Sequence, residues 1–374
     1  MRVYLDWNAT TPPLPEAVVA MTAAAADSWG NPASIHTHGR AARARVEDAR
    51  EAVAALAKVD ARDVVLTSGG TEANNLALRS AFYAVKASGA PALVTSRMEH
   101  PSITRVAQAL EAEGLARVVW LRVTPDGAID LDDAKLALSS QPVRLVALQA
   151  VNHETGVLQP VPEVARLARE HGALLHVDAV QGWGKVLLGE SDGDSRSLAA
   201  HKMRGPKGLG ALLTRPGTPL VPLLLGGAQE RGMRPGTVDP VASVGLAVAA
   251  RHAVSGPERY AAVEALRDEL QRLLCALRPG IEVNGAGPRA PHVLNLFVPD
   301  FPGPELVAAL DLEGLSVSSG SACSAGTSEP SPVLLAMHGA ARARCSVRLS
   351  LGDITTRADI ELAVAAFERV FARS

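Results

Sequence analysis

The chain has 374 residues, 47% of them hydrophobic and 20% charged, which is ample apolar surface for a large core and a length that suggests two domains or one big α/β unit. A formal net charge of -2 leaves no basic excess to neutralise phosphates, so nucleic acid is not expected as a partner. No apolar run approaches the roughly 20 residues that a membrane helix needs, and the start MRVYLDWNATTPPLP lacks the basic-then-apolar order of a secretion signal; no membrane partner is expected and the protein reads as cytoplasmic.

Taken in chain order, short β-branched runs alternate with amphipathic stretches, the pattern of a mostly parallel sheet wrapped by helices. Residues 64–67 predict a strand. The helix after it covers 71–86, with Leu76, Ala77, Ala81, Ala84 and Val85 on one face. A strand at 92–96, a helix at 102–114, strands at 117–123 and 145–151, a helix at 162–171 and a strand at 174–179 follow, and 198–214 reads as strand, turn and strand. Beyond about Arg251 the texture changes to a long Arg/Glu/Leu helix at 260–277, a strand at 293–298 and a last helix at 356–373 behind Thr355 as its cap, which predicts a second, smaller domain. The expected division is an N-terminal segment 1–14 packed with the small domain, a large domain 15–255 and a small domain 256–374.

Three cysteines, Cys275, Cys323 and Cys345, stand far apart with no C-x-x-C pair. That odd count at wide spacing argues against a disulfide framework or a zinc site and points to free-thiol chemistry, with no metal expected. Asn8-Ala9-Thr10 has the spacing of a glycosylation acceptor, but reads as a polar turn before Pro12 and Pro13.

In α/β sheets ligands collect at the carboxyl ends of the strands. After the strand at 64–67, Ser68-Gly69-Gly70-Thr71-Glu72-Ala73 joins two glycines to a helix start, so that Gly70, Thr71 and free N–H groups form an anion cradle. It lacks the lysine of a nucleotide P-loop and the third glycine of a dinucleotide fingerprint. The next strand end carries Glu99-His100-Pro101, and a later one His176-Val177-Asp178-Ala179-Val180-Gln181, where a carboxylate suits a pyridinium nitrogen. Only six of the 37 lysines and arginines are lysines, and Lys202 follows an apolar run beside His201. A buried amine near other cations has a lowered pKa and can form an imine. Residues 318–328 carry only small side chains around Cys323, a composition that predicts an exposed, mobile loop rather than a buried cysteine.

LDWNATTP, GNPASIHTHGR, SGGTEANN, EHPSI, NHETGVLQP, HVDAVQ, HKMRGPKG, GGAQERGMRPGT, SSGSACSAGTSEPS and SVRLSLG, in this order, resemble the cysteine desulfurases of the NifS/IscS type. The resemblance implies the pyridoxal-phosphate-dependent transferase fold of type I, with class-V aminotransferase-like architecture. It also implies pyridoxal 5'-phosphate as cofactor, with Lys202 as its Schiff-base lysine, Asp178 as pyridinium partner, Gln181 on the ring hydroxyl, His100 stacked on the ring, and Gly70, Thr71 and His201 at the phosphate. Thr237 is implied to reach the neighbouring subunit's cofactor in a homodimer, and Arg348 and Asn31 to bind substrate, Arg348 by clamping the carboxylate. The implied reaction takes L-cysteine to L-alanine, with Lys202 moving the α-proton, His100 assisting ionisation of the thiol, and sulfur carried on Cys323 as a persulfide to an acceptor protein, an iron-sulfur scaffold or a thiolation enzyme. His153 stands where the family has Asn and is kept as a cofactor contact; Ala199 stands where it has Ser, Pro235 replaces a Ser, and Arg204 and Cys345 also depart. The rival readings are a selenocysteine lyase or aminotransferase, and a sulfur-relay scaffold.

Overall fold

The structure, a computed structural model, describes residues 2–84, 89–189, 193–320 and 330–373. Strand β1 (Val3–Tyr4) and helices α1 (Pro15–Asp27) and α2 (Thr37–Ala57) lead into β2 (Val64–Thr67), α3 (Gly70–Tyr83), β3 (Ala92–Ser96), α4 (Pro101–Ala112) and β4 (Arg117–Leu121). Next come α5 (Leu131–Ser139), β5 (Val143–Gln149), α6 (Val161–Glu170), β6 (Leu174–Asp178), β7 (Ser195–Ala199), β8 (Gly210–Thr214) and α7 (Pro240–Ala253). The remainder is α8 (Gly256–Leu277), β9 (Glu282–Val283), β10 (Val293–Phe297), α9 (Gly303–Leu312), β11 (Leu315–Ser316), α10 (Pro332–His338), α11 (Ala340–Arg344), β12 (Ser346–Ser350) and α12 (Arg357–Phe371).

Seven strands form one sheet in the order β2-β8-β7-β6-β5-β3-β4. Only β8 runs against the others, pairing antiparallel with both β7 and β2. The carboxyl ends of β2, β3, β5, β6 and β7 therefore share one edge of the sheet, and the segments leaving that edge carry Gly70, His100, His153, Asp178 and Lys202. Helices cover both faces because the strands are apolar on both sides, as in a parallel sheet generally. Val65, Leu93, Leu145 and Leu212 pack with α3 and α4 on one side, while Leu66, Val94, Val146 and Leu175 pack with α2, α6 and α7 on the other. α6 shows how the sequence selects this: Val161, Val164, Ala165 and Ala168 repeat at helical spacing and all are buried.

A three-stranded antiparallel sheet, β12-β10-β9, has its own apolar cluster with α8, α9 and α12, and Val3 and Leu5 belong to that cluster. β1 runs parallel to β11, and Leu5 O accepts from Ser350 N, so the first residues are tied to this second unit. The expected boundary at 255/256 falls between α7 and α8.

Two local readings are corrected. The last helix is capped by Thr356, whose hydroxyl accepts from Asp359 N while the Asp359 carboxylate reaches back to Thr356 N in a reciprocal box; Thr355 turns the other way, accepting from Gly352 N at 2.8 Å. The long helix begins at Gly256, a turn earlier than expected, because Pro257 in its first turn needs no N–H partner there.

Candidate active site

A pocket of about 210 Å3 opens at the carboxyl ends of the parallel strands, and Gly70, Thr71, His100, His153, Asp178, Gln181, His201, Lys202 and Arg348 all line it. Residues separated by up to 340 positions in sequence, Asn8 and Arg348, are brought together there.

Asp178 ends β6 and is almost wholly buried. Its Oδ2 accepts from Asn74 Nδ2 at 2.8 Å, and its Oδ1 from Ser197 Oγ and Val180 N, both at 3.1 Å. Asn74 in turn donates to Ser102 Oγ at 2.8 Å, and its Oδ1 lies 2.9 Å from His176 Nε2. A carboxylate pinned by three donors cannot swing away, so its charge is fixed in direction.

α3 begins at Gly70 behind Gly69, whose φ of 152° few other residues adopt and which has no side chain with which to cap the helix. The first N–H groups of α3 thus face outward without intrahelical acceptors, a binding place for an anion. Gly70 itself is required by packing, since a Cβ there would lie 2.5 Å from Val180 Cγ2.

His100 caps α4: its Nδ1 accepts from Ser102 N at 3.1 Å, with Pro101 filling the first helical position. Burial pushes its pKa down, opposed by Asp178 and reinforced by Lys202. The His153 ring stands edge-on to it, with centroids 5.6 Å apart and planes at 77°. His153 is held well below its ordinary pKa by burial, with His100, Arg348 and Lys202 adding to the effect. His201 is brought down to about 4, again by burial first, so it meets a ligand as a neutral ring. Ala199 lines the pocket and offers no side-chain hydrogen bond.

Lys202 closes the single 3-10 turn that follows β7, and its Nζ donates to the carbonyls of Asn8 and, at 3.0 Å, Ala9. Arg348 is buried on β12, a strand at the edge of its sheet, because Ser318 covers that edge through two backbone hydrogen bonds. Its guanidinium donates to Asp6 Oδ1 at 2.7 Å and to His153 O at 2.9 Å, and among the described residues its Nε has no partner.

Two of the expected residues line a different cavity. Asn31 and Thr237 line a second cavity of about 580 Å3, with Arg43, Arg50 and Arg231, rather than the pocket of Lys202. Asn31 is kept there by a tight turn between α1 and α2, in which its Oδ1 accepts from Ala33 N at 2.9 Å. Cys323 lies outside the described residues. Several contributors were not singled out from the sequence: Asn8, Asn74, Ser102, Gln149 and, behind them, Lys185. Asn74 had a usable signal, since it stands four residues after Gly70 and so on the same helix face.

Residues 3–362 match the family model described as aminotransferase class V. The chain is 39% identical to a cysteine desulfurase of Trichormus azollae over 99% of its own length and 93% of that protein, and 40% identical to an IscS-like cysteine desulfurase of Mycobacterium tuberculosis over 99% and 96%. The chain belongs to the class-V aminotransferase family, among its cysteine desulfurases. A solved NifS-like protein superposes with a TM-score of 0.91 at 31% identity, covering all of both chains, so the shared architecture extends over the whole of this chain.

The donor set suits the pyridoxal phosphate that this family generally uses. An uncapped helix end with Thr71 and His201 beside it fits a phosphate, the pinned Asp178 fits a ring nitrogen, and the Lys202 amine fits an aldehyde.

Proposed function

We propose that this protein is a pyridoxal-phosphate-dependent enzyme that takes sulfur from L-cysteine, leaves L-alanine and stores the sulfur as a persulfide on Cys323. The observation that carries the reading is the convergence of Lys202, Asp178, His100 and Arg348 on one pocket of a chain that belongs to the desulfurases.

The coenzyme, when bound, supplies the electron sink that carbon–sulfur cleavage beside an α-carbon requires. Asp178 is the residue to face its ring nitrogen, and Gly70, Thr71 and His201 its phosphate. Arg348 holds the substrate carboxylate, exchanging its bond to Asp6 for two parallel ones. Lys202 Nζ takes the α-proton, and His100, neutral at pH 7, accepts or returns a proton at sulfur. The Cys323 thiolate attacks the substrate sulfur: an S–S bond forms, the C–S bond breaks with its electron pair passing to the β-carbon, and a proton there completes the alanine methyl group. Thiol plus cysteine thus gives persulfide plus alanine with no external oxidant or reductant. Cys275 and Cys345 do not line the pocket, and burial pushes both thiols up in pKa, which favours Cys323 for this role.

Thr237 is assigned to the partner's cofactor in a homodimer and Asn31 to the same face, a reading supported by their sharing a cavity away from their own chain's Lys202. The sulfur then passes by thiol exchange to an acceptor protein, an iron-sulfur scaffold or a thiolation enzyme, in the cytoplasm. No helix among the described residues is long and apolar enough to cross a membrane.

The test is incubation of the purified protein, loaded with pyridoxal phosphate, with L-cysteine and a reducing thiol. Alanine and sulfide in equal amounts are expected, with Cys323→Ala retaining the bound coenzyme but releasing neither product at the normal rate. A keto acid in place of alanine, or no reaction at all, would overturn the reading.

A further inference from the structure

Below the pocket lies a lysine for which the proposed chemistry has no task. Lys185 is among the largest fully buried side chains, at 2% exposure, although lysine is almost never hidden without a pairing charge. The charged groups that face it are Lys202 and Arg348, which repel an ammonium, and Asp353, which attracts one. Its Nζ donates to Gln181 Oε1 at 3.1 Å, one helical turn away in sequence.

Gln181 is held from both ends. Its Oε1 receives Lys185, and its Nε2 donates to Asn8 O at 3.0 Å, the same carbonyl that receives Lys202 Nζ. An amide can be turned over with little change of shape, exchanging donor for acceptor. Two partners oppose it chemically: Asn8 O, which only accepts, and the ammonium, which has three donors and no acceptor. Turned over, Gln181 would set its NH2 against the ammonium and its carbonyl oxygen against Asn8 O, two repulsive contacts in place of two attractive ones.

We propose that Lys185 is a positioning residue: by donating to Gln181 Oε1 it fixes the amide so that its Nε2 end faces Asn8 and the pocket, and through that amide it secures the coenzyme beside Lys202. The proposal rests on the pyridoxal-phosphate reading of the site.

The measurement is the dissociation constant of pyridoxal phosphate, read from its visible absorbance in the loaded protein. It is made at about pH 6, below the value of about 7 to which burial lowers the Lys185 amine. Lys185→Met keeps the stem and removes the donors; it is expected to weaken coenzyme binding about tenfold, equivalent to about 1.4 kcal/mol. Gln181→Leu is expected to cost a similar factor, and the double variant no more than either single one, because the lysine acts through the amide. Lys185→Arg, which also only donates, is expected to restore most of the affinity. Lys185→Gln provides a second polar variant should the methionine disturb folding: its amide offers donor and acceptor alike, so Asn8 O alone still favours the observed orientation of Gln181, and it is expected to lose affinity in the same direction as Lys185→Met. Wild-type affinity in both the Met and Gln variants, or losses that multiply in the double variant, would overturn the proposal while leaving the function intact. A wild-type protein that takes up no coenzyme would overturn both.

Discussion

At the scale of single residues, the pocket is a set of groups whose protonation is decided by burial. His100 is the instructive case. Its Nδ1 accepts a backbone N–H, so the neutral ring carries its proton on Nε2. Because burial lowers its pKa, the ring is neutral over more of the range in which a free histidine titrates. If His100 moves the proton at sulfur, kcat/KM should fall as pH drops through a midpoint below 6.5, and His100→Gln should abolish that acid limb while slowing turnover by about a hundredfold or more. A pH–rate profile whose acid limb survives in the variant would assign the limb to another group. His153 is also held neutral. It therefore offers hydrogen bonds without charge, as the asparagine usual at that position would.

At the scale of elements, the strand polarity places the chemistry, and loops pinned by buried ion pairs hold the walls. Glu230 sits at a φ of 47° in the loop before α7, and its carboxylate meets Arg50 of α2 at 2.6 and 2.7 Å and Leu66 N of β2 at 2.8 Å. Arg50 and Glu230 are both buried, so removing the Glu230 charge leaves the Arg50 guanidinium with only the half-exposed Glu47 as counter-charge. Glu230→Gln should lower folding stability by about 3 kcal/mol, read as a shift in the denaturant midpoint at unchanged slope; a shift below about 1 kcal/mol would mean the pair is solvated.

The alternation of β-branched runs with amphipathic helices made the parallel sheet legible, and the polar residues just after Thr67, Ser96, Asp178 and Ala199 marked its active edge. Those signals are local, a period and a strand end, and so survive in sequence. Asn74 and Lys185 were not singled out because their roles are non-local: Asn74 matters through Asp178, 104 residues on, and Lys185 through its burial, which no neighbour in sequence announces. The cap at Thr356 rather than Thr355 was undecidable from two adjacent threonines. Asn31 was implied as substrate-binding by the resemblance alone, and its turn borders the cavity that it shares with Thr237.

At the scale of the whole molecule, two apolar clusters meet across the pocket, and the N-terminal segment crosses between them. Asn8 alone bonds to Gln181, Lys202 and His153 O on one side and to Ser350 and His292 on the other. We propose the division into 15–255 and 256–374, with 1–14 attached to the latter, on the ground that Val3 and Leu5 pack in the second cluster. Buried groups also set the response to acid. His100, His153, His176, His201 and His292 all have pKa values lowered by burial, His176 and His201 to about 4. The unfolded chain binds protons at these positions from about pH 6.5 downward, whereas the folded one binds them only at lower pH, so their contribution is complete above that value and is lost as pH falls toward 4. Glu99, raised well above its ordinary value by burial, works in the opposite direction but is one group against five. Denaturant midpoints should therefore decline between about pH 6.5 and 4; a flat profile would mean that the histidines are hydrated.

The central claim is that one particular amine, on the part-buried Lys202, holds the coenzyme, and the chain also contains a fully buried amine, Lys185, lowered to about 7 and therefore chemically competent. Reducing the loaded protein with borohydride and locating the pyridoxyl label by peptide mass spectrometry decides between them. The label is predicted on Lys202 alone, and a label on Lys185 or any other lysine would contradict the account.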